Sequence, residues 1–442
     1  MKKKYVFVLL GAIGDLAVNK VLPSLQTLFM QNDTIYKDIK IIAVDRMELK
    51  TSSYLDNLKK QNDRINTDFF KNIISYVKTD INNSNDFLAL KEVIDNYSNK
   101  NSKILCFLSI PPKLILTASK NFLNSNIIEN NNKNQSIIIE KPFGTNLKSA
   151  KNLKRQLLQC YTDDQIYKID HYLGKDIVRG ITELRFKNDK TTSIFNNQKI
   201  KDIKIIALEE FGILNRGSFY DETGATRDMV ENHLFQLATL LTMDEPKQNT
   251  YKDMINCKVT ALKNFNIDEK SILFGQYAGY KEEDNVSKNS NTETFVFLKM
   301  FANIGKNNNV PIYLMTGKKL ESKETKIIVT FEDNSQINID IANSKAYIIK
   351  DGKKELIKAY NDDNPYKALF LDAWNGNKQY FVDYDEIENA WEKIDRILGY
   401  NLVPFIYRNN QDILEALHKN NEGEFDAILW YYYANKQKHN GV

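Results

Sequence analysis

The run Lys168-Ile169-Asp170-His171-Tyr172-Leu173-Gly174-Lys175 concentrates a carboxylate, an imidazole, a phenol and a terminal ammonium. Ile166–Ile169 before it has the length and branching of a short strand. From Asp176 onward, Ile177, Ile181 and Leu184 recur at helical spacing. The chemistry therefore sits on a strand-to-helix turn, where backbone N–H groups and the helix dipole favour an anion. Lys175 adds a full positive charge, and His171 and Tyr172 add donors. Such a group could grip a phosphorylated sugar, although a turn of this composition is equally compatible with an ordinary solvated surface. A second centre is His233, on a helix-like stretch over Thr223–Leu241 whose Val230, Leu234, Leu237 and Leu241 form an apolar seam. The chain has four histidines, and His418 and His439 lie in or near a polar carboxyl-terminal segment, so the choice of an imidazole base is narrow. Asp228 precedes His233 by five residues, about 140° of α-helical rotation, which separates their faces. An orienting carboxylate for His233 would then come from elsewhere, and Asp170 is a candidate.

The elements that must position these groups begin with the strand Tyr5–Leu10, which runs into Gly11-Ala12-Ile13-Gly14-Asp15-Leu16-Ala17 and a helix. Strand, glycine turn and helix form a dinucleotide-binding opening: Gly11 permits the turn, Gly14 admits a pyrophosphate, and Ala17 allows close packing. The spacing lacks one glycine of the usual fingerprint and is also found in α/β domains without that function. The next strand, Ile39–Val44, ends in Asp45-Arg46, where such a fold reads the adenine ribose. Asp45 suits the free diol of NAD and Arg46 the 2′-phosphate of NADP. Adjacent side chains leave a strand on opposite sides. Arg46 is therefore expected to face the ribose, while Asp45 turns outward or pairs with a neighbour. Helices are expected around Tyr54–Leu58, Phe69–Val77 and Phe87–Tyr97, and a strand over Ile104–Ile110 that stops at Pro111-Pro112. The strand Ser136–Ile139 leads to Glu140-Lys141-Pro142-Phe143-Gly144, a rigid turn directing Lys141 into the crevice. Helix 146–160 closes a first domain, residues 1–165.

Residues 166–442 change character. After a helix to about Phe186, strands are expected near 203–209, 258–265, 272–278, 294–301, 311–316, 326–331, 336–341, 345–349 and 355–360. Strand following strand argues a mainly antiparallel sheet backed by helices. The fold class is thus α/β followed by α+β: a Rossmann-type amino-terminal domain and a larger sheet domain. The 442 residues fit two domains. Their 61 basic and 57 acidic residues nearly balance, giving no support to a nucleic-acid or membrane-surface partner. Cys106, Cys160 and Cys257 are too scattered for a disulfide framework or thiolate metal site. Met1-Lys2-Lys3-Lys4 and the apolar residues after it imitate a secretory signal, but Asp15 interrupts the run, and a cytoplasmic chain is expected. No stretch reaches the length of a membrane span.

Five separated segments resemble the glucose-6-phosphate dehydrogenase family in order: Gly11–Ala17, Glu140–Gly144, Ile169–Lys175, Arg216–His233 and Val310–Lys318. A weaker likeness covers Pro365–Trp391 and Val403–Tyr407. The Asp-His-Tyr-Leu-Gly-Lys and Arg-Asp-Met-Val-x-Asn-His runs are the specific ones. The resemblance implies oxidation of glucose 6-phosphate at C1 with hydride transfer to NADP, NAD being a weaker alternative. It implies His233 as base with Asp170 behind it, and His171, Tyr172 and Lys175 on the 6-phosphate. Lys141, Glu209, Asp228 and Lys318 would bind the sugar; Gly11, Gly14, Asp15, Leu16, Arg46 and Lys141 would bind the cofactor. It further implies a homodimer or homotetramer and no metal. Asp45 departs from the family, which usually has an uncharged residue there, and the chain is short between Phe331 and Pro365. A sugar dehydrogenase of the glucose-fructose oxidoreductase type and a non-catalytic NADP-sensing protein are the alternatives.

Overall fold

The computed structural model describes residues 4–31, 38–248, 250–361 and 364–420, so Met1–Lys3 of the secretion-like start and His439 lie outside the described residues. The chain forms two compact units. One holds the chain up to Arg179 with Asn249–Ile255 and Asp362–Glu388; the other holds Gly180–Gln248, Asn256–Asn361 and the chain from Asn389.

The first unit is built on six parallel strands: β1 (Tyr5–Leu10), β2 (Ile39–Asp45), β3 (Ile74–Lys78), β4 (Lys103–Leu108), β5 (Gln135–Glu140) and β6 (Ile166–Ile169). Their order is β3-β2-β1-β4-β5-β6, with the reversal of direction beside β1 that creates a ligand crevice at the carboxyl edge. The central strands are almost continuously apolar because helices cover both faces. Two expectations need correction here. The stretch Phe69–Val77 is not one helix: Thr67–Phe70 makes a single turn, and β3 follows with Ile74 and Tyr76 buried in alternation. Phe70, Ile74 and Val77 happen to fall at helical intervals, which hid the two-residue period. The 165/166 boundary also falls one strand early, since β6 pairs with β5 through Ile137 and Ile166. All four residues of β6 are buried, Lys168 included, and its ammonium lies 3.2 Å from Asp163 and 3.6 Å over the Tyr384 ring. Burial pulls the Lys168 ammonium below its ordinary pKa and carries Lys378 down to about 8. Segment 364–388 returns to this unit through Phe370, whose ring meets Phe7 at 5.3 Å and Phe107 at 5.6 Å. A buried phenylalanine contributes about 1.5–3 kcal/mol, enough to fix so distant a segment.

The second unit contains β7 (Ile200–Leu208), β8 (Asn266–Tyr277), β9 (Phe295–Ile304), β10 (Asn307–Gly317), β11 (Glu324–Phe331), β12 (Gln336–Asp340), β13 (Lys345–Lys350), β14 (Lys353–Ala359) and β15 (Phe405–Tyr407). They form one sheet in the order β14-β13-β12-β11-β7-β10-β9-β8-β15. Pairing is antiparallel except where β7 meets β10 and β8 meets β15. The expected strand at 258–265 is instead the end of a helix, Tyr251–Lys263. Val259 and Thr260 suggest a strand, but the buried positions Met254, Lys258 and Leu262 recur every fourth residue. The stretch Thr223–Leu241 is also not a single α-helix: Gly217–Ala225 is followed by a π-helical Thr226–Leu234 and an α-helical Phe235–Thr242. Among the described residues, no helix is long and apolar enough to cross a membrane.

Candidate active site

In the first unit the predicted cofactor residues Gly11, Gly14, Asp15, Leu16 and Arg46 gather at the carboxyl ends of β1 and β2. Gly11 has φ of +83°, and a β-carbon there would stand 2.1 Å from the Ser109 carbonyl oxygen, so only glycine turns the chain here. Its N–H and that of Ala12 donate to the Val44 carbonyl at 2.9 and 3.1 Å, tying the turn to β2. Gly14 opens the following helix, and a β-carbon on it would enter the cradle 3.3 Å from the Gly11 carbonyl oxygen. Leu16 packs on the core, while exposed Asp15 accepts from the Asn19 amide at 2.7 Å. These residues fit a dinucleotide phosphate. Asp45 does not turn outward: its carboxylate accepts from the Ile13 N–H at 3.4 Å and from the Arg46 N–H at 2.8 Å. Of the two expected outcomes it therefore takes the second, pairing with its neighbours on the turn. Arg46 itself is exposed.

Lys141 and Asp170 follow β5 and β6 and so stand at the same edge of the sheet. The Lys141-Pro142 bond is cis. Asp170 is buried and caps a 3-10 turn, His171–Gly174, by accepting the Tyr172 N–H at 2.9 Å. The Lys175 N–H closes the turn on the Tyr172 carbonyl at 3.1 Å, and its ammonium rests 4.7 Å over the Tyr172 ring. One tight turn thus brings together Asp170, His171, Tyr172 and Lys175. It is braced from outside the motif. The Pro365 carbonyl fills the space a Gly174 side chain would need, and Arg179 links the Leu173 carbonyl (3.0 Å) to the Asp372 carboxylate (2.8 Å).

In the second unit Glu209 and Lys318 come together because β7 and β10 are parallel neighbours in register, Leu208 opposite Gly317. The next residue of each strand is Glu209 and Lys318 respectively. The Glu209 N–H donates to the Gly317 carbonyl at 2.9 Å, and the Lys318 ammonium is ion-paired with the Glu209 carboxylate. The ammonium also lies 5.2 Å over the Tyr220 ring. His233 is buried, with 2% of its surface exposed, and its N–H donates to the Asn232 side chain at 2.6 Å. Asp228 and His233 share the π-helical turn. Because such a turn closes i→i+5, residues five apart stand one above the other, so the α-helical separation of 140° does not apply.

Several supporting residues were not singled out by the sequence. The Tyr366 hydroxyl donates to the Glu140 carboxylate, and its ring lies parallel to the His171 imidazole at 6.4 Å. Burial pushes the Glu140 carboxyl up to about 7 against the pull of that hydrogen bond and of Lys141. Glu293 is buried, which raises its pKa, and its carboxylate accepts the Thr226 N–H at 2.9 Å where the π-helical turn begins. The Tyr220 hydroxyl is buried and has no hydrogen-bond partner among the described residues. Tyr407 on β15 donates to the Lys318 carbonyl at 2.6 Å. The sequence signals were slight: Glu140 opens the Glu140–Gly144 run, and Glu293 stands just before the strand expected near 294–301.

Comparison with known proteins matches residues 8–180 to the family model "Glucose-6-phosphate dehydrogenase, NAD binding domain" and residues 182–357 to "Glucose-6-phosphate dehydrogenase, C-terminal domain". The glucose-6-phosphate 1-dehydrogenase of Helicobacter pylori (strain J99 / ATCC 700824) is 32% identical over 437 residues, spanning 96% of this chain and 98% of that protein. A solved glucose-6-phosphate dehydrogenase in complex with its substrate glucose-6-phosphate superposes with a TM-score of 0.83 at 25% identity, covering 95% of this chain and 98% of that one. The crystal structure of glucose-6-phosphate 1-dehydrogenase from Mycobacterium avium gives 0.80 at 27% identity, covering 92% and 94%. The chain belongs to the glucose-6-phosphate dehydrogenase family, NADP-dependent oxidoreductases that oxidise glucose 6-phosphate to its 1,5-lactone.

Proposed function

We propose that in the glucose-6-phosphate 1-dehydrogenase reaction of this chain His233 is the general base. It takes the C1 hydroxyl proton as hydride leaves C1, and the sugar becomes 6-phosphoglucono-1,5-lactone. Asp170 holds the imidazole in the accepting tautomer and stabilises the imidazolium that forms. His171, Tyr172 and Lys175 grip the 6-phosphate, while Lys141, Glu209, Asp228 and Lys318 bind the sugar. Gly11, Gly14, Asp15, Leu16, Arg46 and Lys141 hold the dinucleotide. NADP, when bound, supplies the acceptor for the hydride.

The observation that carries this reading is the Asp170-capped turn. It fixes one carboxylate inward and offers an imidazole, a phenol and an ammonium from the next five residues. Burial of His233 supports it too, because the imidazole is shielded from bulk water. The test is NADPH formation, followed by absorbance, with glucose 6-phosphate, other sugar phosphates and free sugars. Turnover restricted to glucose 6-phosphate is expected. Preference for an unphosphorylated sugar would overturn the phosphate-grip assignment, and no turnover on any sugar would overturn the catalytic one. A homodimer or homotetramer in the cytoplasm belongs to the same proposal and rests on the family likeness. Sedimentation and cell fractionation test it.

A further inference from the structure

The turn assigned to the phosphate is held by a stretch of chain that carries none of the groups assigned to substrate or cofactor. Helix Pro365–Asn375 belongs to the same compact unit and reaches the turn at three points. Its Pro365 carbonyl oxygen stands 2.3 Å from where a β-carbon on Gly174 would be, so backbone packs directly on backbone there. Its Tyr366 ring lies parallel to the His171 imidazole at 6.4 Å. Its Asp372 carboxylate takes the Arg179 guanidinium at 2.8 Å, and the Nε–H of that guanidinium donates to the Leu173 carbonyl at 3.0 Å. The helix is itself anchored. Asn364 caps it by accepting the Lys367 N–H at 3.1 Å, and the buried Ser24 hydroxyl lies 2.6 Å from the same amide oxygen.

Arg179 and Asp372 are mostly buried, with 17% and 14% of their side chains exposed. Burial raises the Asp372 carboxyl above its ordinary pKa, although Arg179 stands beside it and the Asn377 amide donates to it at 2.9 Å. Desolvation outweighs pairing here, and a buried ion pair held on those terms adds little stability over apolar packing. What the guanidinium does supply is geometry. It lies 4.3 Å over the Tyr380 ring, with its planar fork set between one carbonyl and one carboxylate.

We propose that the Arg179–Asp372 pair is a specificity-determining positioning device, setting the affinity of the site for the sugar's phosphate without touching the substrate. This rests on the assignment of His171, Tyr172 and Lys175 to the 6-phosphate. Three donors converge on one anion only if the backbone between them is rigid. Leu173 and Gly174, the two residues gripped from outside, lie between Tyr172 and Lys175. The residues assigned to the sugar ring stand on other elements, so the brace acts on the phosphate and not on the ring.

The experiment is a double-mutant cycle between Asp372→Asn and Lys175→Ala, read as KM and kcat for glucose 6-phosphate, with a thermal melt of each variant. Asp372→Asn keeps the shape and removes the charge. It should raise KM by about tenfold while changing kcat by less than about threefold. Arg179→Lys keeps the charge but loses the planar fork, and should move KM in the same direction. It carries the test if Asp372→Asn does not fold. On the Lys175→Ala background, Asp372→Asn should raise KM by less than about threefold, because the ammonium that the brace positions is gone. A full further rise of about tenfold there would show two independent effects and overturn the proposal. So would a KM within about twofold of wild type in both Asp372→Asn and Arg179→Lys. A loss confined to kcat or to the melting temperature would overturn it as well, since that is what a merely structural pair gives. Lys175→Ala alone separates the two failures: if it leaves KM unmoved, the phosphate grip itself falls and takes the brace with it.

Discussion

Gly224→Ala probes how the His233 helix is held, and its cost can be worked from two contacts. Gly224 has φ of +68° and ψ of 172°, a region essentially reserved for glycine. Forcing alanine into it costs about 1–3 kcal/mol. The new β-carbon would stand 2.5 Å from one Glu293 carboxylate oxygen and 2.7 Å from the other, so the carboxylate must withdraw. In doing so it gives up the Thr226 N–H that it accepts at 2.9 Å, a charged hydrogen bond of about 1.5–3 kcal/mol. The contacts adjoin and will not add fully, which leaves about 2–5 kcal/mol. For a domain of about 150–250 residues that lowers Tm by roughly 4–20 °C in a calorimetric or circular-dichroism melt. Activity should fall as well, because the freed turn carries Asp228 and His233, and a displacement of about 1 Å can cost ~10²-fold. The loss should appear in kcat of the fraction still folded at a temperature well below the melt. Glu293→Gln, which preserves shape and an acceptor, should retain most activity, whereas Glu293→Ala should resemble Gly224→Ala. A Gly224→Ala protein with Tm within about 1 °C of wild type and kcat within about twofold would refute the reasoning.

Other outcomes follow from the same geometry. His233→Asn should lower kcat by ~10²–10⁴ with little change in the KM for glucose 6-phosphate, and Asp170→Asn should do so less severely; steady-state kinetics would expose near-normal turnover. Lys175→Ala should raise the KM for glucose 6-phosphate far more than the KM for free glucose, because only the phosphate needs the ammonium. Equal losses would move Lys175 to a role in the fold. Glu140→Gln bears on pH dependence. The folded carboxyl has its pKa raised from 4.5 to about 7, so the folded state holds a proton that the unfolded chain has released. That contribution favours folding below about pH 4.5 and is lost as pH rises towards 7, by up to about 3 kcal/mol. Glutamine removes it, so the difference in urea unfolding free energy between variant and wild type should grow in the variant's favour between pH 5 and 7.5. A difference independent of pH would show that Glu140 is already ionised across that range.

What could be read from the sequence was local. The glycine turn and the Asp170–Lys175 turn each join a strand to a helix within a few residues, so apolar period, turn residues and charge report on one another there. The same signals mislead where two periods coincide, as in Phe69–Val77, where buried Phe70 and Ile74 fit a helix while the chain builds β3. They are silent about winding. The seam Val230, Leu234, Leu237 and Leu241 is apolar under either helical geometry. Gly224 and the carboxylate of Glu293, 69 residues further on, fix where the π-helical turn starts.

Residue spacing and composition carried no signal of long-range placement; for Glu209 and Lys318 the family resemblance alone implied a common role. Tyr366 reaches Glu140 across 226 residues, and Tyr407 reaches Lys318 across 89. Glu209 and Lys318 show why. Their pairing depends on β7 and β10 lying side by side in parallel, although β8 and β9 intervene in the chain. It also depends on the register that sets Leu208 opposite Gly317. Since side chains alternate across a strand, a slip of one residue would send Lys318 to the opposite face and leave the Glu209 carboxylate without its ammonium. In that register buried Ile203 and Ile205 of β7 lie opposite buried Ile312 and Leu314 of β10. The Glu209–Lys318 ion pair is therefore supported by apolar residues that carry no chemistry of their own, and a search confined to reactive side chains passes over them.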